Sequence, residues 1–190
     1  MKFLILLIVL CFLPMTLFAS EQDWLFRWPV GGDAPHKEST FWTVQGTGRQ
    51  RMEDEALRIS TEGEEKMLFF TTQEASHGIW NAEKPIVVEV EARALSSDGP
   101  EEGAAFFAVS DGRKRALVRI LTPEFALYRL EFKNGSAQLL VDGEERPEML
   151  TMLSVPVTDS IANGFYFGDD SRKLSGTSLF RAIRWAPLDQ

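Results

Sequence analysis

Cysteine is almost missing from this sequence. One, Cys11, stands among 190 residues, which excludes a disulfide framework and any zinc site built from clustered cysteines. Histidine and tyrosine are scarce too, with two of each. Basic residues are in deficit: 20 Lys and Arg stand against 28 Asp and Glu, a formal net charge of -8. No basic stripe is offered to phosphates, so nucleic acid is excluded as a partner class. There is no internal repeat, no low-complexity tract and no amphipathic helix longer than about two turns. Apolar residues still make up 44% of the chain, the usual share for a globular protein, and wholesale disorder is excluded as well.

What is present begins with an unbroken apolar run, Phe3 to Leu13, behind Met1-Lys2 and ahead of small residues at Ala19 and Ser20. One positive charge, a short apolar core and a small-residue site form the pattern of a secretory signal peptide. A helix over that run spans roughly 16 Å, about half of the hydrocarbon thickness, too little for a stable membrane span. Extended to Ala19 the segment reaches the lower limit for spanning, so an uncleaved N-terminal anchor is the alternative. Residues 1–19 are expected to be the signal peptide and 20–190 a single domain, secreted or periplasmic. Cys11 leaves with the signal, as does Lys2, so the mature chain has no cysteine and 19 basic against 28 acidic residues, a net charge of -9.

Period-two patterning fills the rest. Tyr128, Leu130 and Phe132 alternate with Arg129, Glu131 and Lys133, and Asn134-Gly135 follows, the pair best suited to a tight hairpin turn. Ala137, Leu139 and Val141 share a face of the return strand, which stops at Asp142-Gly143. Ile86 to Leu95 alternates in the same way, and Ala104 to Ser110 is apolar on both faces, as expected of an interior strand covered on both sides. Further strands are expected at Trp24–Val30, Ala56–Ser60, Met67–Thr72, Ala116–Leu121, Phe165–Phe167 and Leu179–Trp185, about ten in all. On the first of them Trp24 and Trp28 share a face with Phe26, a core arrangement. Arg146 to Ile161, weakly periodic and carrying two prolines, reads as a long connection with one helical turn. Many short strands with turn punctuation and no intervening helices define an all-β antiparallel sandwich or barrel.

The hairpin Tyr128–Gly143, together with Gly164-Phe165-Tyr166-Phe167-Gly168-Asp169 and the closing Gly176–Trp185, resembles the corresponding strands of concanavalin A-like, laminin-G-like jelly-roll domains. The likeness runs from about Trp24 to Pro187. It implies a two-sheet jelly-roll β-sandwich in which the N-terminal strand lies beside the last one. It also implies a surface of the kind that binds glycans or proteins, with calcium in many relatives and catalysis in others.

Chemistry is thinly signalled. The jelly-roll glucanases carry three alternating acids on one strand, because retaining hydrolysis sets a nucleophile and an acid about 5 Å apart. Here Glu89 and Glu91 supply two, with Val87 and Arg93 at the flanking positions where the third acid is missing; a solvated convex sheet face is the plainer reading of the pair. His77, Trp80 and Asn81 combine an imidazole, a ring and an amide in a loop context, the groups that hold a sugar, unless Trp80 merely caps the core. Trp42, in a segment rich in Gly, Thr and Gln, is the other candidate surface ring. Asp169 and Asp170 are candidate calcium ligands, but they, like Asp111 and Asp142, are explained more simply by turn duty for backbone reasons. Glu53-Asp54-Glu55 with Glu62, Glu64 and Glu65 concentrates negative charge on a solvated rim. The expected function is a non-catalytic, exported binding module for carbohydrate. The alternatives are a structural or adhesive protein-interaction domain of the cell envelope and a divergent glycan-processing hydrolase or lyase.

Overall fold

The computed structural model describes residues 24–38, 42–63, 65–71, 84–97, 105–155, 163–169 and 176–188. Fourteen strands and little helix are found there. The strands are β1 (Phe26–Trp28), β2 (Trp42–Gly46), β3 (Arg49–Glu53), β4 (Ala56–Thr61), β5 (Met67–Thr71), β6 (Ile86–Ser97) and β7 (Ala105–Asp111). They continue as β8 (Lys114–Arg119), β9 (Ala126–Lys133), β10 (Ser136–Val141), β11 (Glu144–Glu145), β12 (Leu150–Ser154), β13 (Asn163–Asp169) and β14 (Gly176–Pro187). One helical turn, α1 (Pro35–Glu38), lies between β1 and β2. Every pairing is antiparallel. An eight-stranded sheet has the order β11-β10-β9-β6-β14-β4-β3 with β1 also paired to β14, and a six-stranded sheet has the order β12-β8-β7-β13-β5-β2. The all-β sandwich expected from the patterning is what forms, and β1 lies beside the last strand.

Alternation decides which side chains meet between the sheets. Val88 and Val90 of β6, Tyr128, Leu130 and Phe132 of β9, Phe107 and Val109 of β7, and Phe165 and Phe167 of β13 all face inward and are fully buried. Trp185 anchors one end of this core, stacked on Phe26 at 4.0 Å between centroids and meeting Trp42 edge-on at 6.1 Å. The Tyr128 hydroxyl reaches Thr122 Oγ1 at 2.6 Å, so its polar end is satisfied, and burial raises its pKa. β7 is covered on both faces, as its pattern requires. Phe107 enters the core, while Phe106 packs outside against Tyr166, Leu68 and Ala108.

The connection over Arg146–Ile161 is shorter than expected. A 3-10 turn at Pro147–Met149 supplies the helical turn, and the chain then adds β12 to the edge of the smaller sheet. β2 and β3 were not expected either. The acidic run at 53–55 turns out to be a hairpin: Asp54 (φ 49°) and Glu55 (φ 61°) form its two-residue turn, and Glu53 pairs with Arg58 at 3.1 Å. The Asn134-Gly135 and Asp142-Gly143 turns adopt the same positive angles. A left-handed conformation costs an ordinary residue about 1–2 kcal/mol, and Glu55 has an exposed side chain. Glu55→Gly is therefore expected to stabilise the fold by about 0.5–1 kcal/mol by completing an Asp-Gly turn. Denaturant titration checks it, and a lower midpoint would overturn it.

Candidate functional site

β6 runs through the middle of the larger sheet and sends Ile86, Val88, Val90 and Ala92 into the core. Glu89 and Glu91 consequently face outward. Register sets Glu89 opposite Arg129 of β9 on one side and opposite Arg184 of β14 on the other. Arg129 Nη1 donates to Glu89 Oε1 at 2.8 Å, and Arg184 Nε donates to Glu89 Oε2 at 2.7 Å. Arg129 Nε also donates to Glu131 at 3.0 Å. Burial alone would lower the Arg129 pKa, but its bonds to Glu89 and Glu131 outweigh that and hold it above the usual arginine value.

At Glu89 the expectation of a solvated face is overturned. This carboxylate is 6% exposed, because long arginine side chains from both neighbouring strands close over it. Both of its oxygens already accept guanidinium N–H groups.

A β-bulge shapes the next level. The register of β14 against β6 slips between Phe180 and Ala182, making Arg181 an extra residue aimed at the outer face. Arg181 Nη1 donates to Glu91 Oε1 at 2.9 Å. Its guanidinium carbon lies 3.7 Å from the centroid of the Phe125 ring, and that of Arg93 lies 4.7 Å away, so two cations hold this ring over the sheet. Arg184 packs likewise on Trp24, at 4.5 Å. That contact corrects the core placement expected for Trp24. β1 begins only at Phe26, and its alternation does not reach back to residue 24.

Between the end of β1 and the approach to β9, Phe125, Glu89, Glu91 and Arg184 help bound a cavity of about 520 Å³, within the usual range for small-molecule sites. Its wall is apolar, with Val30, Phe125 and Leu127, while Glu91, Asp142 and Arg27 supply charge. Asp142 Oδ1 accepts the Leu127 N–H at 2.9 Å and thereby ties the β10 turn to the cavity wall. A ring for stacking on C–H groups, beside carboxylate and guanidinium for hydroxyls, is chemistry suited to a polar ligand with one apolar face.

The residues expected to bind ligand are distributed differently. His77, Trp80, Asn81 and Asp170 lie outside the described residues. Trp42 is not a surface ring: it is 5% exposed, on the inward face of β2, edge-on to Phe167 at 5.5 Å. Its polar neighbours belong to an edge strand rather than a loop. Asp169 ends β13 on the inward side, where it is buried and accepts the Thr61 hydroxyl. Asp111 serves its turn, accepting the Arg113 and Lys114 N–H groups at 2.7 Å each. Among the described residues no group of three or more His, Cys, Asp or Glu is placed to hold a metal ion. Sequence reasoning missed Phe125, whose only signal is an aromatic residue in the turn segment Thr122-Pro123-Glu124-Phe125.

No protein-family model matches the chain, and no curated protein matches it in sequence. Solved structures do. A carbohydrate esterase of the Shiga toxin-encoding bacteriophage phi24B is similar at a TM-score of 0.56 and 11% identity, over 88% of this chain and 99% of that one. A Bacillus subtilis protein with a galectin-like fold is similar at 0.54 and 10%, over 87% and 96%. The carbohydrate recognition domain of Emp46p is similar at 0.51 and 11%, over 86% and 98%. The two antiparallel sheets and these likenesses together identify the fold as a concanavalin A-like jelly-roll β-sandwich.

Proposed function

We propose that this chain is an exported, non-catalytic carbohydrate-binding module whose principal sugar contact is the cavity at Phe125. The observation that carries the reading is a cavity of about 520 Å³ that pairs an aromatic wall with Glu91, Asp142 and Arg27. An aromatic ring takes the C–H face of a pyranose while charged groups bond its hydroxyls. The fold supports the class of ligand, since similar structures include a carbohydrate recognition domain and a carbohydrate esterase. Export rests on residues 1–19. His77, Trp80 and Asn81 enter as a second contact on the strength of their chemistry.

A glycan array probed with the mature protein tests the reading, with calcium and with chelator in parallel. Phe125→Ala is expected to weaken binding of the best glycan at least tenfold, about 1.4 kcal/mol, and Trp80→Ala reports on the second contact. Unchanged binding by Phe125→Ala removes the cavity from the proposal, and a blank array removes carbohydrate altogether.

A protein-interaction role is the second reading, and the apolar rim of the same cavity favours it. Val30 and Leu127, which line it, are 46% and 39% exposed, and exposed apolar surface rimmed by polar residues marks protein-contact sites. A blank array with specific capture of one envelope protein, lost in Leu127→Asp, is the outcome that selects it.

A further inference from the structure

The dipeptide Asn-Gly occurs twice in this chain, at Asn134-Gly135 and at Asn163-Gly164. It is the pair most open to loss of the asparagine amide, because glycine places no side chain beside the backbone nitrogen that must reach the asparagine Cγ. At either site the backbone has to rotate away from its native angles before those atoms meet. The fold makes that rotation easy at one copy and hard at the other.

Asn163-Gly164 opens β13 inside the smaller sheet. Asn163 pairs with Asp111 of β7 and Gly164 with Ser110, Gly164 is buried, and a Cβ built on it would lie 2.7 Å from Thr71 Oγ1. Rotation there breaks ladder pairing and disturbs packed atoms. Asn134-Gly135 is instead the two-residue turn between β9 and β10, with φ of 52° and 70°. Asn134 is exposed, as are Lys133 and Ser136 on either side of the turn. Among the described residues no hydrogen bond holds the Asn134 amide or the Gly135 N–H. Beyond β10 the sheet has only the two-residue β11, so the hairpin tip opens at the cost of few hydrogen bonds.

Charge favours the tip as well. Lys133 precedes it, and Lys114 of β8 reaches across from the smaller sheet, its Cγ 3.3 Å from where a Cβ on Gly135 would lie, with Arg113 next to it in the chain. The acids of this corner are engaged: Asp111 accepts the Arg113 and Lys114 N–H groups, and Glu131 accepts from Arg129. Cations beside the turn ease deprotonation of the Gly135 nitrogen and steady an oxyanion formed at Asn134.

We propose that Asn134 is a site of spontaneous modification, converted to isoaspartate in the folded protein while Asn163 persists. The Gly135 nitrogen gives its proton to solvent hydroxide and attacks Asn134 Cγ. A C–N bond forms and closes a cyclic imide, the Cγ–Nδ2 bond breaks, and the departing nitrogen takes a proton from water to leave as ammonia. Water then opens the imide at one of its two carbonyls, giving aspartate or isoaspartate. Isoaspartate adds a carbon to the main chain, so the two-residue turn no longer fits the Lys133–Ser136 pairing, and a negative charge enters a basic corner.

Peptide mapping of the mature protein, sampled over time at mildly alkaline pH, tests this. Asn134 is expected to convert at least about tenfold faster than Asn163 in the folded state, and the two rates are expected to converge in urea. The aged protein is expected to melt below freshly made Asn134→Asp, which has the charge without the extra backbone carbon. Equal rates at the two asparagines in the folded protein overturn the proposal. So does an Asn134 that stays intact over the time in which the urea-unfolded chain converts, and an aged protein that melts with Asn134→Asp overturns the lengthened turn.

Discussion

Gly168→Ala is expected to abolish the folded state. Gly168 has a φ of 136°, and a Cβ built on it would lie 2.1 Å from the Met67 carbonyl oxygen and 3.1 Å from its carbon. Those are backbone atoms of the paired strand β5, so no rotamer relieves the clash. The opposite edge of β5 is confined in the same way. Gly46, with φ 133°, would bring a Cβ to 1.9 Å from the Lys66 carbonyl oxygen. Opening the Gly168 contact means separating β5 from β13 inside the smaller sheet, and opening the Gly46 contact means detaching its end strand β2. The cost is expected to exceed about 4 kcal/mol, a large share of the 5–15 kcal/mol that holds an ordinary domain together. Gly143→Ala is the control. Its φ is 85°, but nothing lies within 4 Å of the added carbon, so it registers only the left-handed backbone cost of about 1–2 kcal/mol. Urea titration of both proteins separates the effects, and equal losses would refute the steric account.

The second large effect is expected at Glu89. Truncation to alanine removes the acceptor shared by Arg129 and Arg184, leaving Arg129 with Glu131 and Arg184 with its packing on Trp24. Breaking a fully buried pair costs about 3–5 kcal/mol. Arg129 and Arg184 keep side-chain exposures of 29% and 40%, and water reaching them reduces the expected loss to about 2–3 kcal/mol. For a domain of this size that is a fall in Tm of about 5–10 °C. Glu89→Gln retains an acceptor for one arginine and is expected to lose roughly half as much. If both substitutions left Tm within a degree or two, the ion-pair cluster would be decoration on a sheet stabilised by its core alone.

How much of this was legible in the sequence depends on where each signal is stored. The hairpin of β9 and β10 was legible because its turn dipeptides and its alternation are local. β3 was not: Arg-Gln-Arg-Met-Glu carries no β-branched residue, and its turn, Asp54-Glu55, contains no glycine. Edge strands bury little and therefore show little periodicity, which hid β12 as well. At the site, Glu89 and Glu91 were legible as carboxylates on one face. Their partners were not, because Arg129 and Arg184 lie 40 and 95 residues away and reach Glu89 only through sheet register. Trp42 misled because its Gly, Thr and Gln neighbours suit a loop and an edge strand equally. Phe125 is held by a bulge at Arg181, and a slip of one residue in a distant pairing leaves no mark on the local sequence.

The last strand carries a consequence for how the molecule is made. β14 pairs with β6 along its whole length, with β4 over its first half and with β1 over its second. Without it, the larger sheet falls into separate pieces that share no hydrogen bonds. The ribosome must therefore release residue 187 before this sheet can close. Until then β6 has an open edge and Trp185 is missing from the core, so the nascent chain stays loose. The export proposed above would be well served by a strand order that defers closure to the end, and a truncation before Gly176 would leave a chain without a sheet to complete.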